Sequence, residues 1–268
     1  MICMKIYIIN LEKDVDRKNR MISILEKAGV TNYEFIKAVD GSLLSSNEKK
    51  SLVDFNKMTR LCRELTPSEI GCSLSHQLAY RKIIEENKEY RCIILEDDVI
   101  LNNNFKHILD SKYHSQDIDL LFFGLSTSNI ENEGNKTYQY IKIGHFPKTD
   151  GSTSRCYFTN NSVTIGGVDF YEIDRRTYTI DLLFGTYAYS PSKQCCQKML
   201  ELNTPVIMEA DGIWNRYDKF KIYAPTAPII TVDEYIQSHI KDERQLYNDT
   251  KEISKIFMSR KENIEFNK

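Results

Sequence analysis

Glu96-Asp97-Asp98 sets three carboxylates side by side, directly after the apolar run Cys92-Ile93-Ile94-Leu95. Adjacent carboxylates repel one another and are poor strand formers. The apolar run before them reads as a strand covered on both faces. Open α/β sheets bind their ligands at the carboxyl ends of such strands. If strand geometry continues, Glu96 and Asp98 share a face and Asp97 points the other way. Two carboxylates on one face suit a hard divalent cation, which takes one or two carboxylates together with substrate phosphates. The alternative is a solvated acidic turn.

Three further stretches carry chemistry-bearing residues. Gly71-Cys72-x-x-Ser75-His76 places a histidine beside small side chains, where either a ligand or a tightly packed neighbour could come close. The segment Asn10 to Arg17 follows a short β-branched run. It reads either as an N-cap with an exposed helix or as a loop that recognises a nucleotide base, with Arg17 near phosphate. Glu209-Ala210-Asp211-Gly212-Ile213-Trp214 sets two carboxylates beside the single tryptophan. It reads either as a surface helix with an anchoring Trp or as a general base next to a sugar-stacking ring.

The elements that must position these residues follow from pattern. Lys5 to Ile9 predicts a buried strand. Asp14 predicts the cap of a helix running to about Ala28, with Gly29 past its end. Tyr33 to Val39 predicts a second strand, and strand-helix-strand implies a parallel βαβ unit. Residues 42 to 65 read as a loop with a weak helix. Thr66-Pro67-Ser68-Glu69 is a capping box with proline at the first helical position. The helix it starts runs to about Glu86, with Ile70, Leu74 and Leu78 as one stripe and Gly71, Cys72, Ser75 and Ala79 as a small-residue face. Ile118 to Gly124 predicts another buried strand. From Ser126 to about Arg176 the chain is rich in Asn, Thr, Ser, Gly and Tyr, with strand-like pieces at Tyr138 to Ile143 and Val163 to Ile165. Ile180 to Tyr189 reads as a strand, Ser190-Pro191 as the start of a helix to Leu202, and residues 206 to 217 as a further turn or two of helix. Phe220 to Tyr223 and Ile229 to Val232 read as short strands. Residues 242 to 268 read as a helical tail with six charges of each sign, which gives no basic signature for anionic lipid.

Composition sets the outer bounds. With 268 residues, Lys+Arg 36 against Asp+Glu 38 and a net charge of -2, the chain lacks the basic excess of a nucleic-acid binder. Apolar residues at 41% argue against disorder. The 7 cysteines form no Cys-x-x-Cys pair, which argues against a zinc ribbon, and the pattern predicts a reducing cytosol. The Ile6 to Ile9 run is too short for a secretory signal, and no apolar stretch approaches the ~18 residues of a membrane span. Peripheral contact with a membrane face stays open.

Taken in order, these stretches resemble glycosyltransferase family 25, the lipooligosaccharide galactosyltransferases of Gram-negative bacteria, related to the collagen galactosyltransferases. The resemblance rests on Ile8-Ile9-Asn10-Leu11 with Asp16-Arg17, on Glu69 through His76, on Ile94-Leu95-Glu96-Asp97-Asp98, on Gly185-Thr186-Tyr187-Ala188-Tyr189, and on Asp211 after Pro205-Val206. It covers about residues 4 to 240.

The resemblance implies a GT-A-like α/β fold: a Rossmann-type, mostly parallel central sheet with flanking helices and an acceptor-binding C-terminal half. Residues 1–125 would form the nucleotide-sugar-binding half, 126–241 the acceptor-binding and catalytic half, and 242–268 the tail. It implies inverting transfer of a hexose, galactose from UDP-galactose, to a lipooligosaccharide or lipopolysaccharide sugar. Mn²⁺ or Mg²⁺ would be the cofactor, and the setting the cytoplasm or the cytoplasmic face of the inner membrane. Donor binding would fall to Asn10, Leu11, Arg17, Ser75, His76, Glu96 and Asp97. Asp98, with Glu96 and His239, would hold the metal. Asp211 would be the general base and Glu209 its rival. The alternatives are a silent sugar- or protein-binding relative, use of another UDP-sugar (glucose or GalNAc), and a nucleotidyltransferase.

Overall fold

The computed structural model describes residues 4–61, 64–86, 91–111, 113, 115, 117–124, 128–133, 136–142, 155–174, 186–216, 219–226, 228–233 and 236. The chain opens with β1 (Lys5–Asn10), α1 (Val15–Lys27) and β2 (Tyr33–Lys37). A 3-10 turn at Gly41–Leu43 leads to α2 (Ser46–Leu52), α3 (Phe55–Leu61) and the long α4 (Pro67–Glu86). Next come β3 (Cys92–Glu96), β4 (Val99–Leu101), α5 (Asn104–Asp110) and β5 (Leu120–Phe122). Four strands follow, β6 (Ser128–Glu133), β7 (Lys136–Lys142), β8 (Arg155–Ile165) and β9 (Val168–Asp174). The chain then runs through β10 (Ala188–Pro191), α6 (Lys193–Asn203), a 3-10 turn at Ile213–Arg216, β11 (Ile222–Pro225) and β12 (Ile230–Val232).

Ten strands form one sheet in the order β2-β1-β3-β10-β5-β11-β9-β8-β7-β6. Within β2-β1-β3-β10-β5-β11, β10 alone is reversed, so the centre is a mostly parallel α/β sheet. β9, β8, β7 and β6 extend it as an antiparallel meander. β10 comes from the second half of the sequence yet inserts between β3 and β5 of the first. The two halves therefore share one sheet.

Each face of that sheet is covered. α4 and α6 pack one face through Ala79, Tyr80, Cys195, Cys196 and Met199, against Ile94, Phe122 and Tyr189. α1 and α5 cover the other through Met21, Leu25, Phe105 and Ile108, against Ile6, Ile93 and Phe123. At ~25 cal/mol per Å² of apolar surface buried, these two layers supply most of the driving force for folding. Arg91 is fully buried at the start of β3 and ties three segments together. Its guanidinium donates to the carbonyls of Ile118, Asp119 and Ser190.

The capping box at α4 is present, Thr66 N donating to Glu69 Oε2 at 2.9 Å and Glu69 N to Thr66 Oγ1 at 3.3 Å. Several expectations are corrected. Residues 42 to 65 hold two helices, because Ser45 and Glu48 form a second capping box at the start of α2. Leu78 is exposed, so the α4 stripe is narrower than Ile70, Leu74 and Leu78. Asp14 precedes α1, but its side chain makes no cap hydrogen bond. Ser190-Pro191 ends a strand. Ser192 caps α6 instead, accepting from Cys195 N at 3.0 Å. Among the described residues of 206–217, the only helix is the short 3-10 turn. The strand expected at Ile180 to Tyr189 begins at Ala188, and residues 180–185 lie outside the described residues. The tail at 242–268 also lies outside them.

Candidate active site

β1, β2 and β3 run parallel, with Asn10 paired to Lys37 and Ile9 to Glu96, so their carboxyl ends reach one edge of the sheet together. Residues 186 and 187 arrive at that edge just before β10, and Glu96 N donates to Tyr187 O at 2.9 Å. A cleft of about 330 Å³ opens there. Its walls include Leu11, Lys13, Asp14, Arg17, Val39, Asp40, Gly41, Cys72, Ser75, His76, Glu96, Asp97 and Asp98.

Close backbone contact builds one wall. A Cβ on Gly41 would lie 1.7 Å from Pro67 O, and one on Gly71 would lie 2.5 Å from Val39 O. Only hydrogen at both positions lets the chain after β2 lie flat on the first turns of α4. Ser75 locks the contact, accepting from Val39 N at 2.8 Å and donating to Gly71 O at 2.6 Å. Ser75 lines the cleft, with its hydroxyl committed to this tie.

The acidic segment departs from the alternation expected of a strand. β3 ends at Glu96, and Asp97 and Asp98 form a turn, so the opposite-face argument does not hold beyond Glu96. Each carboxylate meets a different environment. Asp97 accepts from Asn10 Nδ2 at 2.8 Å and from Arg17 Nη1 at 2.9 Å. Burial raises its pKa, and the Asn10 and Arg17 contacts only partly offset this. Arg17 lines the cleft while paired to Asp97, and buried Asn10 serves the same carboxylate. Glu96 faces His76 Nε2 at 3.3 Å and accepts from the Thr186 hydroxyl. Burial opposes its charge, but contacts with His76 and Thr186 and the Arg17 charge prevail, holding it below the usual carboxylate range.

Asp98 has weaker support, from the Arg17 charge and its own backbone N–H. Its Oδ1 is buried without a hydrogen-bond partner. Burial, then the charges of Glu96 and Asp97, push its pKa up to about 7.

Behind Glu96 a chain of polar groups enters the core. His76 Nδ1 lies 2.8 Å from the Tyr189 hydroxyl, which donates to the Tyr80 hydroxyl at 2.8 Å. All three side chains are buried. Thr186 and Tyr189 sit in the Gly185 to Tyr189 stretch noted in the sequence, although neither stands out as a site residue there. Thr186 lies two residues before β10 and Tyr189 within it, and their place in that stretch was the available signal.

The segment carrying Glu209 and Asp211 is a turn, with Gly212 N donating to Glu209 O at 3.1 Å. Both acidic residues are half-buried and neither lines the cleft. Asp211 is near it all the same. Burial first, then the charges of Glu96 and Asp211, raise the pKa of the Cys72 thiol. The expected sugar-stacking role of Trp214 is overturned. Its ring is fully buried, edge-on to Phe122 at 5.0 Å and to Tyr189 at 5.5 Å between centroids.

Residues not singled out in the sequence hold this turn in place. Asn203 Oδ1 accepts from Ile207 N at 2.9 Å and Met208 N at 3.2 Å, and its Nδ2 donates to Met208 O at 3.2 Å. Gln77 donates to Asn203 O, and Ser73 donates to Met208 O at 2.9 Å. Two residues of α4 therefore anchor the segment leading to Asp211. His239, expected as a metal ligand, lies outside the described residues.

The family model of glycosyltransferase family 25 (LPS biosynthesis protein) matches residues 3–214. A glycosyltransferase 25 family member of Aedes aegypti is 30% identical over 169 residues, 55% of this chain and 27% of that protein. Procollagen galactosyltransferase 2 of Homo sapiens is 27% identical over 167 residues, 55% of this chain and 26% of that protein. The inactive glycosyltransferase 25 family member 3 of Homo sapiens is 29% identical over 138 residues, 48% of this chain and 23% of that protein. The chain thus spans about a quarter of the length of these relatives. No helix among the described residues is long and apolar enough to cross a membrane.

Proposed function

The chain belongs to glycosyltransferase family 25, and on that premise we propose that it moves a hexose from a UDP-sugar, UDP-galactose foremost, to a hydroxyl of a lipooligosaccharide sugar with inversion. The observation that carries this reading is Asp98. A buried, unpartnered carboxylate oxygen beside two further carboxylates, at the carboxyl edge of a parallel sheet, fits a divalent cation. When bound, Mn²⁺ or Mg²⁺ held by Asp98 and Glu96 supplies Lewis-acid stabilisation of the departing diphosphate, worth several kcal/mol.

The chain's own residues do the rest. Asn10 and Arg17 grip Asp97 and so fix the turn that presents Asp98. Thr186 and His76 orient Glu96. Leu11 and Val39 give the cleft an apolar wall for the base. Asp211 takes the proton of the attacking hydroxyl, a role that supplies ~10²–10⁴-fold in rate. One displacement needs one base and no covalent intermediate. Residues 126–180 shape the acceptor site, with β8 and β9 extending the sheet beyond β11. A lipid-linked acceptor puts the reaction at the cytoplasmic face of the inner membrane.

A second reading, a silent binding relative, is favoured by the human relative whose name states inactivity. Calorimetry with UDP and a UDP-release assay, each with and without Mn²⁺, separate the two. The enzyme reading expects metal-dependent UDP binding and turnover, both nearly abolished in Asp98→Asn with circular dichroism unchanged. Tight UDP binding that ignores chelation, or full turnover by Asp98→Asn, would overturn it.

A further inference from the structure

Cys72 and His76 are four residues apart on α4 and face the end of β3, where the sulfur, an imidazole nitrogen and a Glu96 oxygen lie within 4.8 Å of one another. We propose that these three side chains form a second metal site, for a thiophilic divalent cation with Zn²⁺ foremost, distinct in ligand chemistry from the hard-cation site ascribed to Asp98.

The geometry is close to what zinc requires. Zinc holds sulfur at about 2.3 Å and nitrogen or oxygen at about 2.0–2.2 Å, so tetrahedral donors sit about 3.3–3.8 Å apart. His76 Nε2 and Glu96 Oε1 are already 3.3 Å apart. The donors stand on a helix and a strand end, so small side-chain rotations complete the set. An S/N/O set also selects against Mn²⁺ and Mg²⁺, which favour all-oxygen surroundings.

The surroundings match a ligated histidine. Such a histidine has its second ring nitrogen fixed by a hydrogen-bond partner, which sets its orientation. Here the Tyr189 hydroxyl does this at 2.8 Å and is itself fixed by Tyr80. All three candidate ligands line the cleft, giving an ion an entry path and leaving its fourth position to solvent. On binding, the Cys72 thiol gives its proton to solvent as the sulfur–zinc bond forms. No redox change is involved.

The consequence rests on the function proposed above. Glu96 belongs to both donor sets, so zinc on Cys72 and His76 withdraws it from the hard cation and inhibits transfer. The experiment begins with direct binding to the intact chain. Zinc calorimetry is paired with Co²⁺ absorption, where a near-ultraviolet thiolate-to-cobalt band reports sulfur ligation. Wild type should bind zinc and show the band. Cys72→Ser should lose the band, and Tyr189→Phe should weaken zinc binding by ~10–100-fold. Asp98→Asn should keep both zinc binding and the band. No zinc binding by wild type, or a band that survives Cys72→Ser, overturns the inference. UDP·Mn²⁺ binding is measured on separate wild-type samples free of zinc and cobalt. Its absence there, with the cobalt band present in the loaded samples, sinks the function proposed above while upholding the zinc site, whereas its loss only when zinc is added is the expected inhibition.

Discussion

The two acidic segments, Glu96–Asp98 and Glu209–Asp211, are held in place by opposite means. The first rides on regular structure: β3 delivers it to the sheet edge, and β1 and α1 supply the Asn10 and Arg17 that grip Asp97. Its last carboxylate is left with an unpartnered buried oxygen. The second rides on an irregular turn, held by the Asn203 amide reaching backbone groups four and five residues on and by an amide and a hydroxyl of α4 reaching it from far away in sequence. Its tryptophan is spent on the core. A strand end concentrates charge and leaves it poorly satisfied, whereas the anchored turn holds its carboxylates half-buried and outside the cleft lining. The first arrangement suits cation capture and the second suits proton transfer.

The largest expected effect tests this division of labour. Asp211→Asn should lower kcat by ~10²–10⁴-fold while UDP·Mn²⁺ affinity, measured by calorimetry, stays near wild type. Glu209→Gln should be much milder. If Asp211→Asn instead loses UDP binding, both segments serve the donor and the contrast collapses.

Trp214 separates core from site. Trp214→Ala removes a fully buried ring from the Phe122–Tyr189 cluster and should cost about 3–5 kcal/mol in denaturant unfolding. A mild loss of stability with a large rise in acceptor KM would restore the sugar-platform role.

Asn203 tests the anchor itself. Asn203→Ala removes the partners of Ile207 N, Met208 N and Met208 O. A cost of about 1–3 kcal/mol is expected, with kcat falling further than UDP affinity because the loosened segment leads to Asp211. Equal loss of both would mean that the anchor supports the whole cleft.

What was legible in the sequence follows the same division. Periodicity and caps revealed β1, α1, β2, α4 and β3, because each is decided by residues within a few positions of one another. Ser45-x-x-Glu48 was equally local, yet the weak apolar pattern of residues 42–65 concealed it. Gly166-Gly167, both at positive φ, close the β8–β9 hairpin. That pair, set between Ile165 and Val168, is a local hairpin signal that went unread within the polar stretch from Ser126 to Arg176. Asn203 was harder to read. Its side chain bonds backbone groups only four and five residues on, but nothing in the sequence distinguishes it from an ordinary helix-ending asparagine, and the Gln77 amide that fixes its carbonyl is more than a hundred residues away. The Trp214 expectation failed because residues 206 to 217 were read as helix, whereas the chain between Asp211 and Trp214 begins as a turn, and Phe122 and Tyr189 claim the ring.

The smallest effect is one of pH, and it distinguishes the segments by charge alone. In the folded chain the Asp98 carboxyl keeps its proton up to about 7, against about 3.9 in an unfolded chain. Between those values the folded state binds more protons than the unfolded state. This group's contribution to stability is therefore full at low pH and is lost as pH rises through about 7. Asp98→Asn cannot ionise and escapes that loss. In metal-free protein its Tm should exceed that of wild type at pH 8, by at least the ~2–4 °C that 1 kcal/mol gives in a chain of this size. The gap should narrow as pH falls toward 4. Asn203→Ala adds and removes no titrating group, so its Tm deficit should stay nearly constant over the same range. A constant gap for Asp98→Asn as well would mean that the Asp98 oxygen finds a partner in solution, and the contrast between a strained strand end and an anchored turn would fail at its sharpest point.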